Sequence, residues 1–202
     1  MDYQSSHRIL LVGEGDLSFS LSLARSFGTA LNIVATTLDS RLSLITKYAS
    51  ALSNLAQLES LGCTILHEVD VHTMSQHPRL MHTRFHRIIF NFPHAGFICR
   101  ESDAFMIQLH QNLVSGFLSN AKQMIYGDGE IHITHKTTGP FSMWDIEKLG
   151  EIKGLILREE EEFYQWAYLG YKNKRGSGRK CDKSFPIGKS STFKFAFYKC
   201  GV

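Results

Sequence analysis

The chain has 202 residues and a formal net charge of +3, and the length allows one domain with a proper core, which we expect over residues 1–202. Hydrophobic residues make up 43% and charged residues 20%, as in an ordinary soluble globular protein. Since no stretch approaches the roughly 20 apolar residues that span a bilayer, a membrane protein is excluded.

The polar residues 1–7 contain no signal-peptide core, so the cytosol or the nucleus is the expected compartment. The cysteines are widely and irregularly spaced, which favours free thiols over a disulfide framework. They are Cys63, Cys99, Cys181 and Cys200. Cys200 has only two residues after it and does not form a prenylation signal. The sequence sets no oligomeric state.

Short apolar runs alternate with helical patterns along the chain. The patterns predict strands over 8–12, 32–38, 63–66, 87–90, 130–135, 154–157 and 192–198. Between them they predict helices over 17–27, 42–61, 103–124 and 144–149. Alternation through the first five strands is typical of an α/β protein, with a mostly parallel seven-stranded sheet and helices on both faces.

Two glycines follow the first predicted strand, where an open α/β sheet binds its ligands. Gly13 and Gly15 let a ligand approach the backbone, and the helix that begins nearby offers free N–H groups. Asp16 and Ser18 are candidate caps for that helix. A plain tight turn with a cap is the alternative interpretation.

Acidic residues follow the next two predicted strands. Asp39 comes at the end of the second strand, where a carboxylate accepts hydrogen bonds from ribose hydroxyls. Asp70 follows the third strand, where an acid contacts an adenine edge. Either acid alone is also consistent with a helix cap or a surface charge. Together with the glycine turn they indicate a nucleoside-containing cofactor.

The glycine spacing distinguishes two cofactors. A dinucleotide site requires G-x-G-x-x-G, and Ser18 occupies the third glycine position. Enzymes that use S-adenosylmethionine tolerate this substitution because no pyrophosphate has to be held. A terminal strand pair inserted beside the fifth strand is also typical of that methyltransferase fold, and the two late strands can supply it. These features favour S-adenosylmethionine.

The fourth predicted strand runs directly into Asn91-Phe-Pro-His94. This tetrapeptide resembles the Asn/Asp-Pro-Pro-aromatic motif of methyltransferases that act on planar nitrogen. The Asn91 amide can align an N–H group, Pro93 makes the turn rigid, and His94 can accept a proton from a ring nitrogen. A proline turn with a capping asparagine is the alternative. The remaining histidines show no compact zinc spacing, and we expect no metal.

Basic residues cluster in residues 171–189, here called the basic segment, where Asp182 is the single acid. We expect this segment to bind RNA phosphates mainly through Lys174, Arg175, Arg179 and Lys180. We also expect it on the substrate side of the sheet, away from the cofactor. A solvated loop that only aids solubility is the alternative.

Four motifs together resemble the Rossmann-like domain of yeast-type 25S ribosomal RNA uridine-N3 methyltransferases. They are Ile9-Leu-Leu-Val-Gly-Glu-Gly-Asp-Leu-Ser-Phe-Ser20, Ala35-Thr-Thr-Leu-Asp-Ser40, Ile89-Phe-Asn-Phe-Pro-His94 and the pattern from Gly178-Arg179 to Phe185-Pro186. The resemblance implies a class I methyltransferase fold, S-adenosylmethionine as cofactor, and the N3 of a uridine in large-subunit ribosomal RNA as substrate. It also implies a nucleolar setting, with the cytoplasm as the alternative.

Three functional hypotheses remain at this stage. The first is an S-adenosylmethionine-dependent RNA methyltransferase with Gly13, Gly15, Asp16, Asp39 and Asp70 at the cofactor. The second is a nicotinamide-dependent oxidoreductase, which the glycine turn also suits. The third is a non-catalytic RNA-binding or interaction module that keeps the fold.

Overall fold

A computed structural model describes residues 3–198, so Cys200 lies outside the described residues. The strands are β1 (Ile9–Val12), β2 (Ile33–Thr36), β3 (Thr64–Leu66), β4 (Phe85–Asn91), β5 (Ile125–Lys136), β6 (Ile156–Glu162) and β7 (Ser190–Ala196). The α-helices are α1 (Ser18–Phe27), α2 (Arg41–Lys47), α3 (Ala51–Ser60), α4 (Ala104–Met124) and α5 (Ile146–Ile152).

The strands form one seven-stranded sheet in the order β3-β2-β1-β4-β5-β7-β6. The pairs β1–β2, β2–β3 and β4–β5 are parallel. The last strand, β7, is antiparallel to both β5 and β6, so the late pair is added beside β5. The predicted α/β class and mostly parallel sheet are therefore confirmed.

The chain contains two compact units, and the expectation of a single domain stays a prediction. The first unit comprises residues 3–70 and 164–186. Its strands β1 and β2 are almost wholly buried, and the apolar face of α1 packs on α3. Because β1 is buried along its whole length, it reads as a continuous apolar run and leads straight into the glycine turn.

The second unit comprises residues 71–163 and 187–198. The long helix α4 packs against β5 and α5, and buries Phe117 against Phe90 of β4 with ring centroids 5.1 Å apart. Within the described residues, none of the helices combines the length and the apolar character needed to cross a bilayer.

The single helix predicted over 42–61 is wrong, since α2 and α3 are separated at Tyr48, Ala49 and Ser50. Tyr48 has an extended backbone and is 2% exposed. The Ala49 N–H donates to the Asp182 carboxylate at 3.3 Å instead of continuing a helix. The hydrophobic periodicity did not indicate this break, because no glycine or proline occurs there. A contact between residues distant in the sequence produces it.

The strand β6 extends to Glu162, well beyond the predicted end at residue 157. Its four glutamates have low β propensity and hid the strand in the sequence. The Lys194 ammonium of the neighbouring β7 lies 2.9 Å from the Glu159 carboxylate and 2.7 Å from that of Glu161. Charged side chains on this edge strand also discourage pairing with another chain.

Candidate functional site

The glycine turn after β1 has a shape that only small residues allow. Gly13 has φ +65°, in the left-handed region that favours glycine. At Gly15 a Cβ atom would lie 3.3 Å from the Cβ of Lys174 and 3.7 Å from the Tyr48 hydroxyl oxygen. The Lys174 side chain of the basic segment therefore lies close to the backbone of the turn at Gly15.

Two buried carboxylates stand in this turn, and sequence reasoning missed the first. Glu14 accepts hydrogen bonds from the backbone N–H and the hydroxyl of Ser20, at 3.1 and 2.8 Å. Burial, the largest cause, raises the pKa of Glu14 to about 7, and the charge of nearby Asp16 adds to the shift. Asp16 is 2% exposed, and its Oδ1 accepts from the Ser18 N–H at 3.0 Å.

The basic segment packs directly on this turn. The Lys174 ammonium lies 3.5 Å from Asp16 Oδ2 and 2.5 Å from Asp182 Oδ1. The Lys172 N–H donates to the Ser18 hydroxyl at 3.0 Å. The expectation that this segment lies away from the cofactor end is therefore wrong, because the ion pairs of Lys174 and the hydrogen bond from Lys172 to Ser18 hold it there.

Lys174 is also corrected as an RNA-binding residue, because its side chain is only 9% exposed and its charge is taken up by two carboxylates. Arg179 and Lys180 are exposed, and Arg175 is half-buried. The proposed phosphate-binding set is thus reduced to these three cations.

Asp39 follows β2, which ends at Thr36, two residues before the predicted end of the strand at residue 38. Its Oδ1 accepts from the Ser43 hydroxyl at 3.1 Å and forms an ion pair with Lys47. The Asp39 carbonyl oxygen accepts from Nδ1 of His67 at 3.2 Å, which leaves Nε2 of His67 as an acceptor. Asp70 follows β3 and is exposed, between the buried Val69 and Val71.

Two polar atoms of the first unit are buried and make no hydrogen bond within residues 3–198: Asp16 Oδ2 and His67 Nε2. Buried polar groups are normally satisfied, so His67 Nε2 points to a missing partner, while Asp16 Oδ2 pairs with the Lys174 ammonium at 3.5 Å and can accept a further hydrogen bond. Both are acceptors, beside the glycine turn and beside Asp39 respectively. A cofactor with an ammonium group at one end and hydroxyl or amino donors at the other fits this pair.

The Asn91–His94 turn of the second unit is strained. Phe92 has φ +49°, which is rare for a bulky side chain and costs about 1 to 3 kcal/mol. Its N–H donates to the Thr134 carbonyl at 2.8 Å, and its ring meets Phe163 edge-on at 5.6 Å. Strain held by surrounding contacts is typical of functional turns.

The Asn91 amide is the second feature of this turn. Both Oδ1 and Nδ2 are buried without a hydrogen-bond partner in the described part of the chain. An asparagine amide offers an acceptor and a donor side by side. The arrangement is complementary to a planar group that presents one N–H beside one carbonyl.

His94 does not keep the role of proton acceptor. Its Nδ1 already accepts the Gly96 N–H at 3.0 Å, and its Nε2 lies 2.7 Å from Glu101 Oε1. A neutral imidazole has one lone pair, and here the main chain occupies it. That expectation is wrong, and the ring instead packs on Phe97 with centroids 4.1 Å apart.

Glu101 and His110 are further residues that the sequence did not single out. Nε2 of His110 lies 3.1 Å from Glu101 Oε2, while its Nδ1 accepts the Ala95 N–H at 3.1 Å. One carboxylate therefore holds two imidazoles, both with their proton on Nε2. Burial lowers the pKa of His110, which favours the neutral form of this ring.

The residues His94, Glu101 and His110 are of types that bind metal, and their ligand atoms lie within 4.8 Å of one another. A histidine that binds a metal through Nε2 must carry its proton on Nδ1 and donate it. Both Nδ1 atoms accept main-chain N–H groups instead. The geometry favours a hydrogen-bonded relay, and the absence of a metal stays a prediction.

Comparison with known proteins identifies the family. A family model described as rRNA (uridine-N3-)-methyltransferase BTM5-like matches residues 10–175. The chain belongs to this BMT5-like family. The resemblance drawn from the motifs is thereby confirmed, although the Gly178–Pro186 pattern lies beyond the matched residues.

Relatives differ in length and name. The chain is 55% identical to Uncharacterized protein At4g26485 of Arabidopsis thaliana, over 96% of this chain and 94% of that protein. It is 51% identical to Heavy metal-associated isoprenylated plant protein 41 of the same organism, covering 96% of this chain and 38% of the relative. The 25S rRNA (uridine(2634)-N(3))-methyltransferase of Saccharomyces cerevisiae is 23% identical, over 87% of this chain and 68% of that protein.

Solved structures support the same fold. TrmN from Thermus thermophilus matches with a TM-score of 0.58 and 18% identity, over 98% of this chain and 46% of that one. The structure of SMU.776 complexed with SAH gives a TM-score of 0.59 and 14% identity, over 95% and 46%. The chain thus has the Rossmann-like fold of class I methyltransferases, and the nicotinamide hypothesis gains no support.

The raised pKa of Glu14 predicts a pH-dependent stability. Between its ordinary value of 4.5 and about 7 the folded state keeps a proton that the unfolded chain releases, so the free energy of unfolding falls as pH rises. Glu14→Gln removes this loss. In urea titrations, we expect the difference in free energy of unfolding between Glu14→Gln and wild type to increase by about 2 to 3 kcal/mol, in favour of the variant, from pH 5 to pH 8. Glu59→Gln, a surface control, should show no such rise; equal pH profiles for Glu14→Gln and wild type would contradict the analysis.

The relay predicts imidazole tautomers that NMR can read. At pH 8, two-bond ¹H–¹⁵N spectra should show Nε2 protonated and Nδ1 unprotonated in both His94 and His110, because main-chain donors fix both rings. Glu101→Gln supplies one acceptor oxygen in place of two and should shift at least one ring, whereas the exposed Glu147→Gln should shift neither. Zinc at equimolar concentration should leave the spectra unchanged. Loss of both Nε2 protons on zinc addition would establish a metal site instead.

Proposed function

We propose that this protein is an S-adenosylmethionine-dependent RNA methyltransferase that acts on the N3 of a uridine, in large-subunit ribosomal RNA. The unpaired Asn91 amide at the end of β4 is the observation that carries the proposal. Membership of the BMT5-like family and the methyltransferase fold support it.

The first unit would hold the cofactor through its own residues. Gly13 and Gly15 admit the methionine portion, and Asp16 Oδ2 accepts from its ammonium group. Asp39 and His67 accept from the ribose hydroxyls, and Asp70 contacts the adenine edge. When bound, S-adenosylmethionine supplies an electrophilic methyl group on a sulfonium centre.

The second unit would position the base. The uracil imide presents N3–H between two carbonyl groups, so Asn91 Nδ2 would donate to one carbonyl while Oδ1 accepts from N3–H until that proton leaves and frees the nitrogen lone pair for the methyl group. Pro93 and the strained Phe92 keep the turn rigid, which fixes the amide before the base arrives. Methyl transfer is a displacement, and alignment supplies much of the rate.

The hydrogen-bonded group of His94, Glu101 and His110 would hold this turn in place, and it would not accept the N3 proton of the substrate. Glu101 fixes the His94 ring beside the turn, where the ring also packs on Phe97, and the ring held in this way would orient the base. The N3 proton has to leave before or during transfer, because the nitrogen lone pair is delocalised into the imide. With both nitrogens of His94 engaged, we assign that proton to solvent.

The substrate sets the cellular setting that we propose. Ribosomal RNA is modified in the nucleolus, and we place the protein there, with the cytoplasm as the alternative. Arg175, Arg179 and Lys180 would contact RNA phosphates. The competing proposal is an RNA-binding module that keeps the fold without catalysis, and it gains support only if binding occurs without methylation.

Isothermal titration tests the cofactor half. Wild-type protein should bind S-adenosylmethionine and its demethylated product, and NADH should give no heat. Asp39→Ala should weaken binding by about 1.5 to 3 kcal/mol, the range for hydrogen bonds to a charged group. Glu59→Ala removes an exposed carboxylate of the same unit and should change nothing. Unchanged affinity in a folded Asp39→Ala protein would remove this residue from the site.

Mass spectrometry of nucleosides tests the reaction. Incubation with S-adenosylmethionine and ribosomal RNA from cells lacking the modification should produce 3-methyluridine. Asn91→Ala should lower the rate at least tenfold with cofactor affinity unchanged, because the alignment of the base is lost. Asn112→Ala, on the exposed face of α4, is the matched control. A protein that binds cofactor and RNA but forms no methylated nucleoside would establish the non-catalytic module.

A further inference from the structure

An exposed aromatic turn precedes the basic segment. Trp166 is 81% exposed and Tyr164 46%, and their ring centroids lie 5.5 Å apart. Trp166 lies in the 3-10 helix Gln165–Ala167, which buries none of its residues, and Tyr164 directly precedes this helix. Leu169, a few residues on, is 86% exposed. Large apolar side chains grouped on a surface mark an interaction site more often than scattered ones do.

Hydrogen bonds tie this aromatic turn to the base of the basic segment. The Gln165 side-chain amide donates to the Tyr171 carbonyl at 3.2 Å and to Asn173 Oδ1 at 3.1 Å. Asn173 is buried, and its own amide donates to the Phe185 carbonyl at 2.6 Å. The residue next to Trp166 is therefore linked to both ends of the loop that carries the cations.

The loop itself folds back as a hairpin. The Arg175 N–H donates to the Lys183 carbonyl at 3.0 Å, and the Gly176 N–H donates to the Cys181 carbonyl at 3.1 Å. Exposed Arg179 and Lys180 lie at its tip. About six residues separate Asn173 from Arg179, so the tip cations lie no more than about 20 Å from the base of the loop.

We propose that this surface, made by Tyr164, Trp166, Arg179 and Lys180, binds an unpaired stretch of the RNA substrate. Bases stack on the Trp166 and Tyr164 rings while the tip cations contact the phosphates. The proposal rests on the RNA methyltransferase function proposed above. Aromatic platforms beside cations are the usual means of binding single strands without reading sequence.

The chemistry favours a single strand over the other occupants. A duplex keeps its bases stacked on one another, and so cannot cover the indole with a base face. An apolar protein partner would match the aromatic rings but not the cations that follow, among which Asp182 is the single acid and is engaged by Lys174.

Tryptophan fluorescence gives a direct test, because the chain has two tryptophans and Trp144 is 1% exposed. An oligouridylate of about ten nucleotides should quench the emission of Trp166 in the wild-type protein. A duplex of equal length should not. The quenching should vanish in Trp166→Phe, which keeps an aromatic platform and most of the affinity.

Fluorescence anisotropy with the same oligonucleotide measures what each contact contributes. Trp166→Ala should weaken binding about 5- to 150-fold, the loss expected for one stacked base. Phe105→Ala, which removes another exposed ring on α4, should leave binding unchanged. Arg179→Ala with Lys180→Ala should reduce the slope of log affinity against log salt by about 0.7 per lost contact.

The outcomes separate this surface from the proposed function. If 3-methyluridine forms and Trp166→Ala methylates and binds RNA as well as wild type does, the surface proposal is overturned and the function stands. Equal quenching by duplex and single strand also overturns it, as does a failure of the oligonucleotide to bind. Formation of no 3-methyluridine, with quenching intact, overturns the function and leaves the RNA surface.

Discussion

The Lys174 ammonium forms two ion pairs, a buried one with Asp16 and a half-exposed one with Asp182, and the buried pair is the interaction on which the first unit's site depends. Asp16 is buried in the glycine turn beside Glu14, where two acids would repel each other without a cation nearby. Breaking a buried pair by removing one partner costs about 3 to 5 kcal/mol. The pair therefore fixes the basic segment against the turn, and joins the cofactor end to the surface that we assign to RNA.

The second unit differs from the first, because its most notable polar group, the Asn91 amide, is buried without a hydrogen-bond partner within the described residues. Asn91 ends β4 with both amide atoms buried and unpaired within the described residues, whereas Glu101 and two main-chain N–H groups occupy both ring nitrogens of His94 and of His110. Occupied neighbours cannot turn to satisfy the amide, so it stays available for the planar base that we propose. A methyltransferase needs such a prearranged acceptor and donor, since its chemistry depends on alignment more than on a strong base.

Much of the fold was predictable because burial leaves a strong pattern. The run that forms β1 is apolar along its length, and α4 keeps a helical period over all its turns. Failures occurred where a distant contact overrode the local signal. Tyr48 breaks the predicted helix over 42–61 because Asp182 binds the next backbone N–H, and Lys194 stabilises a glutamate strand that propensity disfavours.

The sequence by itself determined the family, the glycine turn and the order of polar residues at the strand ends, because each is a short local pattern. Tertiary structure alone decided which charges stay available. Lys174 and Arg179 look equivalent in the sequence, yet one is buried between carboxylates and the other is exposed. His94 is likewise a residue type that acts as a general base, but its free lone pair on Nδ1 already accepts a main-chain N–H. Partners far apart in the chain set these states, and no local pattern encodes them.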